Sequence, residues 1–348
     1  MKNARNMRKS SLTILLVLFC FGIRAQELPV AEQERLADSI RKAAAEQAAL
    51  LYPRIRQFSI THEENGVGKI RSKVNGNNVF EGNFRSSRTR INMNMPVLQR
   101  RNNTLVASLG VIHQFYELSD ITNFDSNNPV YDHSTYMPML STAITYIRTD
   151  SLFGKPVTIT ASAGSIFNPS MSRSQFTFTG IVTVPFIRTE NTRLSGGAAI
   201  LLDPASPVPF FLMINYYHKF RKWDMDLTVD LPSRIALRKE LTPKASLTFF
   251  NELAGNNSFF EFDKAVSLLP TDKLTLSSLE IKSGLMAEYR LTKKVIISMS
   301  GGVNNMVNSR IRENNSKPKD YFIDNKHKPV PFVQVGLSIL PFWKGLDL

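Results

Sequence analysis

Over residues 54–348 the chain alternates apolar and polar side chains with a period of two, and this alternation limits what it can become. Within 86–98, Ile91, Met93, Met95 and Val97 fall on one face and Arg90, Asn92 and Asn94 on the other. Val157, Ile159, Ala161 and Ala163 oppose Thr158, Thr160, Ser162 and Gly164. Met225, Leu227, Val229 and Leu231 oppose Asp224, Asp226, Thr228 and Asp230. Val333, Val335, Leu337 and Ile339 oppose Gln334, Gly336 and Ser338. Successive side chains of a strand point to opposite faces, so each segment is a strand with one apolar face. The segments run about 8–14 residues, against about 5–6 for strands of soluble domains and about 9–11 for a strand that crosses a bilayer. We therefore expect an all-β fold, an antiparallel transmembrane β-barrel that is apolar outside and polar inside, rather than a secreted sandwich.

The N-terminus points to export. Residues 1–25 hold Lys2, Arg5, Arg8, Lys9 and Arg24 and no acid, and LTILLVLFCFGI at 12–23 is uniformly apolar. That run is too short to span a membrane and has the length and flanks of a cleaved signal peptide. Ala25 supplies the small residue for cleavage. Cys20, the single cysteine, follows Phe19 instead of the small residue a lipidation signal wants, so it leaves with the leader. A mature chain without cysteine suits an oxidising compartment and needs no disulfide. In residues 26–53, Leu36, Ile40, Ala43, Ala44, Gln47 and Leu51 recur at helical spacing as one thin stripe. This segment reads as a short periplasmic helix ahead of a barrel at 54–348, and the expected location is the cell outer membrane.

About twelve strands are plain between 86 and 340. Bacterial barrels alternate short periplasmic turns with longer external loops and hold an even number of strands. That parity fails after residue 231 and is restored by a strand at 234–240 (RIALRKE). It also demands a first strand before 86, at 54–62 (RIRQFSITH) or else at 69–74. The expected total is about fourteen, with twelve as the alternative, and fourteen leaves room for a lumen where eight would not. The stretches 255–273 and 305–328 lack alternation and read as external loops. The second is basic, which suggests contact with anionic lipopolysaccharide.

Charge on the polar faces cannot turn to lipid, where an Arg or Lys near the midplane costs about 2–4 kcal/mol. Arg88, Arg90, Asp226, Asp230, Glu252, Glu280, Lys282 and Glu288 all fall on inward positions and form a lumen stripe. The stripe is either a solute path or a set of ion pairs filling a narrow barrel. The chain as a whole carries a formal net charge of +14, but it has no nucleic-acid motif and no basic helix, so we expect no nucleic acid. His62, His113, His133, His218 and His327 are scattered with no HExxH, so no metal and no cofactor are expected. Ser108 and His113 lie on opposite faces of one strand, and the acids at 226 and 230 belong to the lumen stripe. No catalytic residues emerge, and the chain does not read as an enzyme.

The stretch 223–253, WDMDLTVDLPSRIALRKELTPKASLTFFNEL, has a Trp after a short turn, a strand ending in Leu-Pro, then a strand closed by a short polar turn. It resembles outer-membrane β-barrel families of unknown function in Gram-negative bacteria, over about residues 54–348. The resemblance implies location and fold, with membrane lipid, lipopolysaccharide and the barrel-insertion machinery as partners, and no activity. Many such barrels end on an aromatic residue; here Phe342 and Trp343 precede the final Leu348. The expected roles are a passive channel for small or lipophilic molecules, or a structural or partner-binding scaffold with a filled lumen. The oligomeric state is left open by the sequence.

Overall fold

The computed structural model describes residues 30–100, 102–126, 129–152, 154–204, 206, 208–261, 273–317 and 319–342. The signal peptide expected at 1–25 lies outside them. Helix α1 spans Val30–Leu51, and its run of Ala, Glu, Gln, Leu and Arg favours helix without help from packing. The chain divides into one unit up to Gln47 and a second from Ala48 onward, so the last turn of α1 belongs with the strands.

In the second unit a 3-10 turn, Pro53–Ile55, leads into fifteen antiparallel strands. They are β1 (Phe58–Val74), β2 (Asn77–Gln99), β3 (Asn103–Asn123), β4 (His133–Leu152), β5 (Lys155–Phe167), β6 (Ser174–Arg188), β7 (Thr192–Leu202), β8 (Phe210–Phe220), β9 (Met225–Leu231), β10 (Arg234–Thr242), β11 (Ala245–Glu261), β12 (Lys273–Arg290), β13 (Val295–Glu313), β14 (Tyr321–His327) and β15 (Val330–Ile339). Neighbours in sequence pair from β1 to β13. β14 and β15 both lie between β13 and β1, one above the other. They are two halves of one stave, so the sheet closes as a ring of fourteen. The stave breaks at Lys328 and Pro329, where proline has no N–H to give the ladder. Facing the break, β1 bulges between Asn65 and Gly68. A Cβ at Gly68 would collide with Val330, and one at Gly66 would sit 2.9 Å from Pro331 Cγ, so the kink needs glycine there.

The outward positions carry the apolar residues. Val333, Val335 and Leu337 on β15, Ile297 and Met299 on β13, and Leu212 and Ile214 on β8 are all exposed. Exposed aromatics mark both margins: Phe186, Trp223 and Tyr289 near the short turns, Tyr136, Phe176 and Phe210 near the opposite end. An apolar band between two aromatic girdles is the exterior of a barrel that spans a membrane.

Three expectations need correction. The two candidate first strands, 54–62 and 69–74, are parts of the single β1, which begins at Phe58. The stretch 305–328 is no loop: β13 continues to Glu313 and β14 occupies Tyr321–His327, leaving a connection at 314–320. Two of its six basic residues are engaged within the barrel: Arg312 is buried and Arg310 meets Asp324 at 3.3 Å. The stretch 255–273 begins as the upper end of β11, up to Glu261. In the second and third cases polar residues stand on both faces of the strand's upper end, so no alternation betrays it.

Candidate functional site

Four of the eight stripe residues converge on one side of the lumen. Arg88 on β2 donates from Nη2 to Glu280 Oε1 on β12 at 2.9 Å and lies 4.0 Å from Glu63 on β1. Lys282 on β12 donates to Glu63 Oε2 at 2.5 Å and lies 3.5 Å from Glu280. Asn304 on β13 donates to Asn65 Oδ1 at 2.9 Å and closes the cluster from above. Arg88, Glu63 and Glu280 are each 4% exposed or less. Arg90, two residues along the same face of β2, borders the cavity and has no ion pair within 4.0 Å among the described residues. The cluster thus holds three cations against two carboxylates.

The other four form separate contacts. Glu288 accepts from Arg56 Nη2 at 2.6 Å, and Arg56 also reaches Ser338 Oγ at 2.9 Å. Asp226 accepts from the Tyr217 hydroxyl at 2.7 Å and lies 3.7 Å from Arg238. Asp230 accepts from the Tyr52 hydroxyl at 3.3 Å. Burial and the neighbouring Asp230 carboxylate push the Tyr52 hydroxyl above the usual phenol range, so it stays a donor. Glu252 pairs with Arg54 and, at 4.0 Å, with Arg234, whose Nη1 donates to Leu51 O at 2.8 Å.

The sequence reading missed Glu63, Tyr52, Arg54, Arg56, Arg234 and Arg238. Glu63 sits in HEENG, where no apolar partner alternates with it. Arg54 and Arg56 fall in the expected strand 54–62, but they lie in and just after the 3-10 turn that precedes β1. Arg234 and Arg238 lie in RIALRKE, and their period-two spacing marked a face that was legible but not used.

On the opposite side, β4–β7 carry small side chains inward, among them Ser141, Ser162, Thr177 and Thr179. They leave a cavity of about 1190 Å³ that runs from Tyr52 and Arg56 at the short-turn end to Asp203 and Ser206 on the β7–β8 connection. The lumen is therefore packed with ion pairs on the β1–β2–β12 side and open on the β4–β7 side. Among the described residues no group of three His, Cys, Asp or Glu side chains is placed to hold a metal ion. Ser108 and His113 point apart: Ser108 donates to Asn94 Oδ1 inside at 2.7 Å, and His113 stacks on Tyr136 outside.

A closed antiparallel barrel with an apolar exterior and a half-open, charged interior is a membrane-spanning β-barrel protein. The chain belongs to the family called Domain of unknown function DUF6268, matched over residues 57–340. No curated protein matches it. Among solved structures it is similar to an outer-membrane channel from Pseudomonas putida F1, at 10% identity and TM-score 0.36, covering 82% of this chain and 96% of that one. It is also similar to the translocator domain of the autotransporter NalP from Neisseria meningitidis, at 14% identity and TM-score 0.33, covering 89% and 98%. The toluene transporter TodX of Pseudomonas putida matches at 11% identity and TM-score 0.33, covering 81% and 88%.

Proposed function

We propose that this chain is an outer-membrane channel, with no catalytic task, that passes small solutes down their gradient through the open side of its lumen. The observation that carries this reading is the cavity itself, about 1190 Å³, lined on its β4–β6 side by small hydroxyl side chains and running from the short-turn end to the β7–β8 connection. Its charged lining includes Arg54, Arg56, Arg90, Arg234 and Lys282 against Asp203, Asp230 and Glu252, a cationic excess that favours anions. The test is conductance of the refolded protein in planar bilayers, with reversal potentials in a salt gradient. We expect discrete conductance steps and a preference for anions. Ser162→Trp fills the open side and should cut the step by at least half while leaving heat-modifiable gel migration intact. A folded barrel that passes no current would favour the filled scaffold instead.

A further inference from the structure

The ring of strands is complete at the short-turn end and incomplete above it. β9 has 7 residues, whereas a strand crossing a bilayer needs about 9–11. Tilted about 40°, it climbs about 15 Å of an apolar band about 25 Å tall. Its hairpin with β10 ends at Pro232 and Ser233, where Leu253 N donates to Ser233 O at 2.8 Å as the last rung. Beyond that rung the strands on either side part. Among the described residues, Phe210–Met213 of β8 pairs with β7 alone, because β9 first meets β8 at Ile214. Ala254–Glu261 of β11 pairs, among the described residues, with β12 alone.

The two free edges differ in chemistry. β8 stays in the outer wall with Phe210 and Leu212 turned outward, Leu212 being 72% exposed. β11 leans into the barrel. Asn257 O accepts from Gln114 Nε2 on β3 at 3.4 Å, Asn256 Nδ2 donates to Gln114 Oε1 at 2.7 Å, and Arg173 donates to Phe260 O. Five consecutive residues, 253–257, border the cavity, so both faces of β11 do. The outward row of β11 runs Leu247, Phe249, Asn251 and Leu253 beside β10 and continues above the last rung with Gly255 and Asn257. Asparagine at those positions suits a polar passage and not hydrocarbon.

Resting on the channel reading above, we propose that the gap between β8 and β11 is a lateral portal joining the cavity to the outer half of the bilayer, and that it passes amphiphiles with one hydrocarbon chain and an anionic head. A molecule that uses an opening at hydrocarbon depth must partition into lipid, which supplies the chain. The charged lining of the cavity is in cationic excess, and Arg90 at its wall makes no ion pair within 4.0 Å among the described residues, so the head these cations attract is an anion. A free strand edge could alternatively receive a strand from another polypeptide, and the experiment separates the two.

In Cys20→Ser chains, Gly255→Cys carries a small fluorophore in proteoliposomes; a Cβ there meets nothing within 4 Å. Nitroxides placed in the middle of the phospholipid acyl chain should quench it at least twice as strongly as nitroxides on the headgroup. Transfer of dansyl-aminoundecanoate from the bilayer into the wild-type protein, read by its blue shift, should slow at least fivefold in Gly255→Trp. A single-chain quaternary ammonium of equal length should transfer at least fivefold more slowly than the carboxylate. Headgroup quenching alone, equal transfer in Gly255→Trp and wild type, or a co-purified polypeptide protecting position 255 from labelling would each overturn the portal. Conductance is read separately: wild type that conducts without acyl-chain quenching removes the portal alone, and quenching without conductance removes the channel alone.

Discussion

Val335 is 49% exposed on the outer face of β15, whereas Thr179 on β6 borders the open cavity. The same new charge therefore meets lipid in one place and space in the other. We expect Val335→Arg to destabilise folding into liposomes by about 2–4 kcal/mol and Thr179→Arg by well under half of that, measured by urea titration of tryptophan fluorescence. Thr228, also inward, is only 3% exposed and offers no such space. A second residue-scale test lies in the ion-pair cluster. Arg88→Ala leaves Glu280 and Glu63 with Lys282 as their one remaining ion-pair partner within 4.0 Å among the described residues, and stranding one partner of a buried pair costs about 3–5 kcal/mol. Glu280→Gln keeps a hydrogen-bonding group and should cost less in the same titration. The inward direction of Arg88, Glu280 and Lys282 was legible from the period-two pattern. Their partner Glu63 was not, because it is 219 residues from Lys282, and only closure of the ring brings β1 beside the β14–β15 stave and within reach of β12. Arg90→Glu reverses the one cation in the cluster that makes no ion pair within 4.0 Å among the described residues, and the reversal potential should shift toward cations.

At the scale of the element, sequence resolved strands wherever lipid covers one face and failed where strands outgrow it. β9 was recovered because its residues alternate, and β10 because loop parity demanded a strand after the turn at Pro232 and Ser233. The upper end of β13, NNMVNSRIRE, has polar residues on both faces and looked like a loop. Pairing supplies what periodicity could not: Arg310 lies opposite Asp324, and Ile311 opposite Ile323. Asn75 and Gly76, at φ 48° and 87°, form the tight left-handed turn between β1 and β2 that an Asn-Gly pair announces. With the short turns facing the periplasm, trypsin added to intact cells should cut after Lys319, in the connection at 314–320, and spare Arg310 and Lys326 within strands. Cleavage after Arg310 or Lys326 at a comparable rate would restore the loop. Cleavage at Lys293, in the β12–β13 turn, would invert the orientation.

The whole molecule is uneven around its circumference. β1–β4 and β11–β13 have 17–23 residues each, β5–β10 have 7–15. The tall side is the one filled with ion pairs, and the low side is the one left open. The segment from Ala48 to Arg56 is fastened at the short-turn end. Ala49 packs with Ile296 and Leu340, Tyr52 reaches Asp230, Arg54 reaches Glu252, and Arg56 reaches Glu288, Ser338 and Ala49 O. Tyr52, Pro53, Arg54 and Arg56 also line the cavity. Two truncations separate these roles from those of the preceding helix. A mature chain lacking 26–47 keeps every one of these contacts, so it should fold with unchanged heat-modifiable migration and unchanged urea midpoint. A chain lacking 26–56 strands Glu288 without Arg56 and removes the apolar contact at Ile296 and Leu340. It should unfold at lower urea, and its mouth, freed of four lining residues, should conduct at least twice as much per channel. Equal stability of the two truncated chains would mean that the segment is a passive tether and that the barrel holds its own end closed.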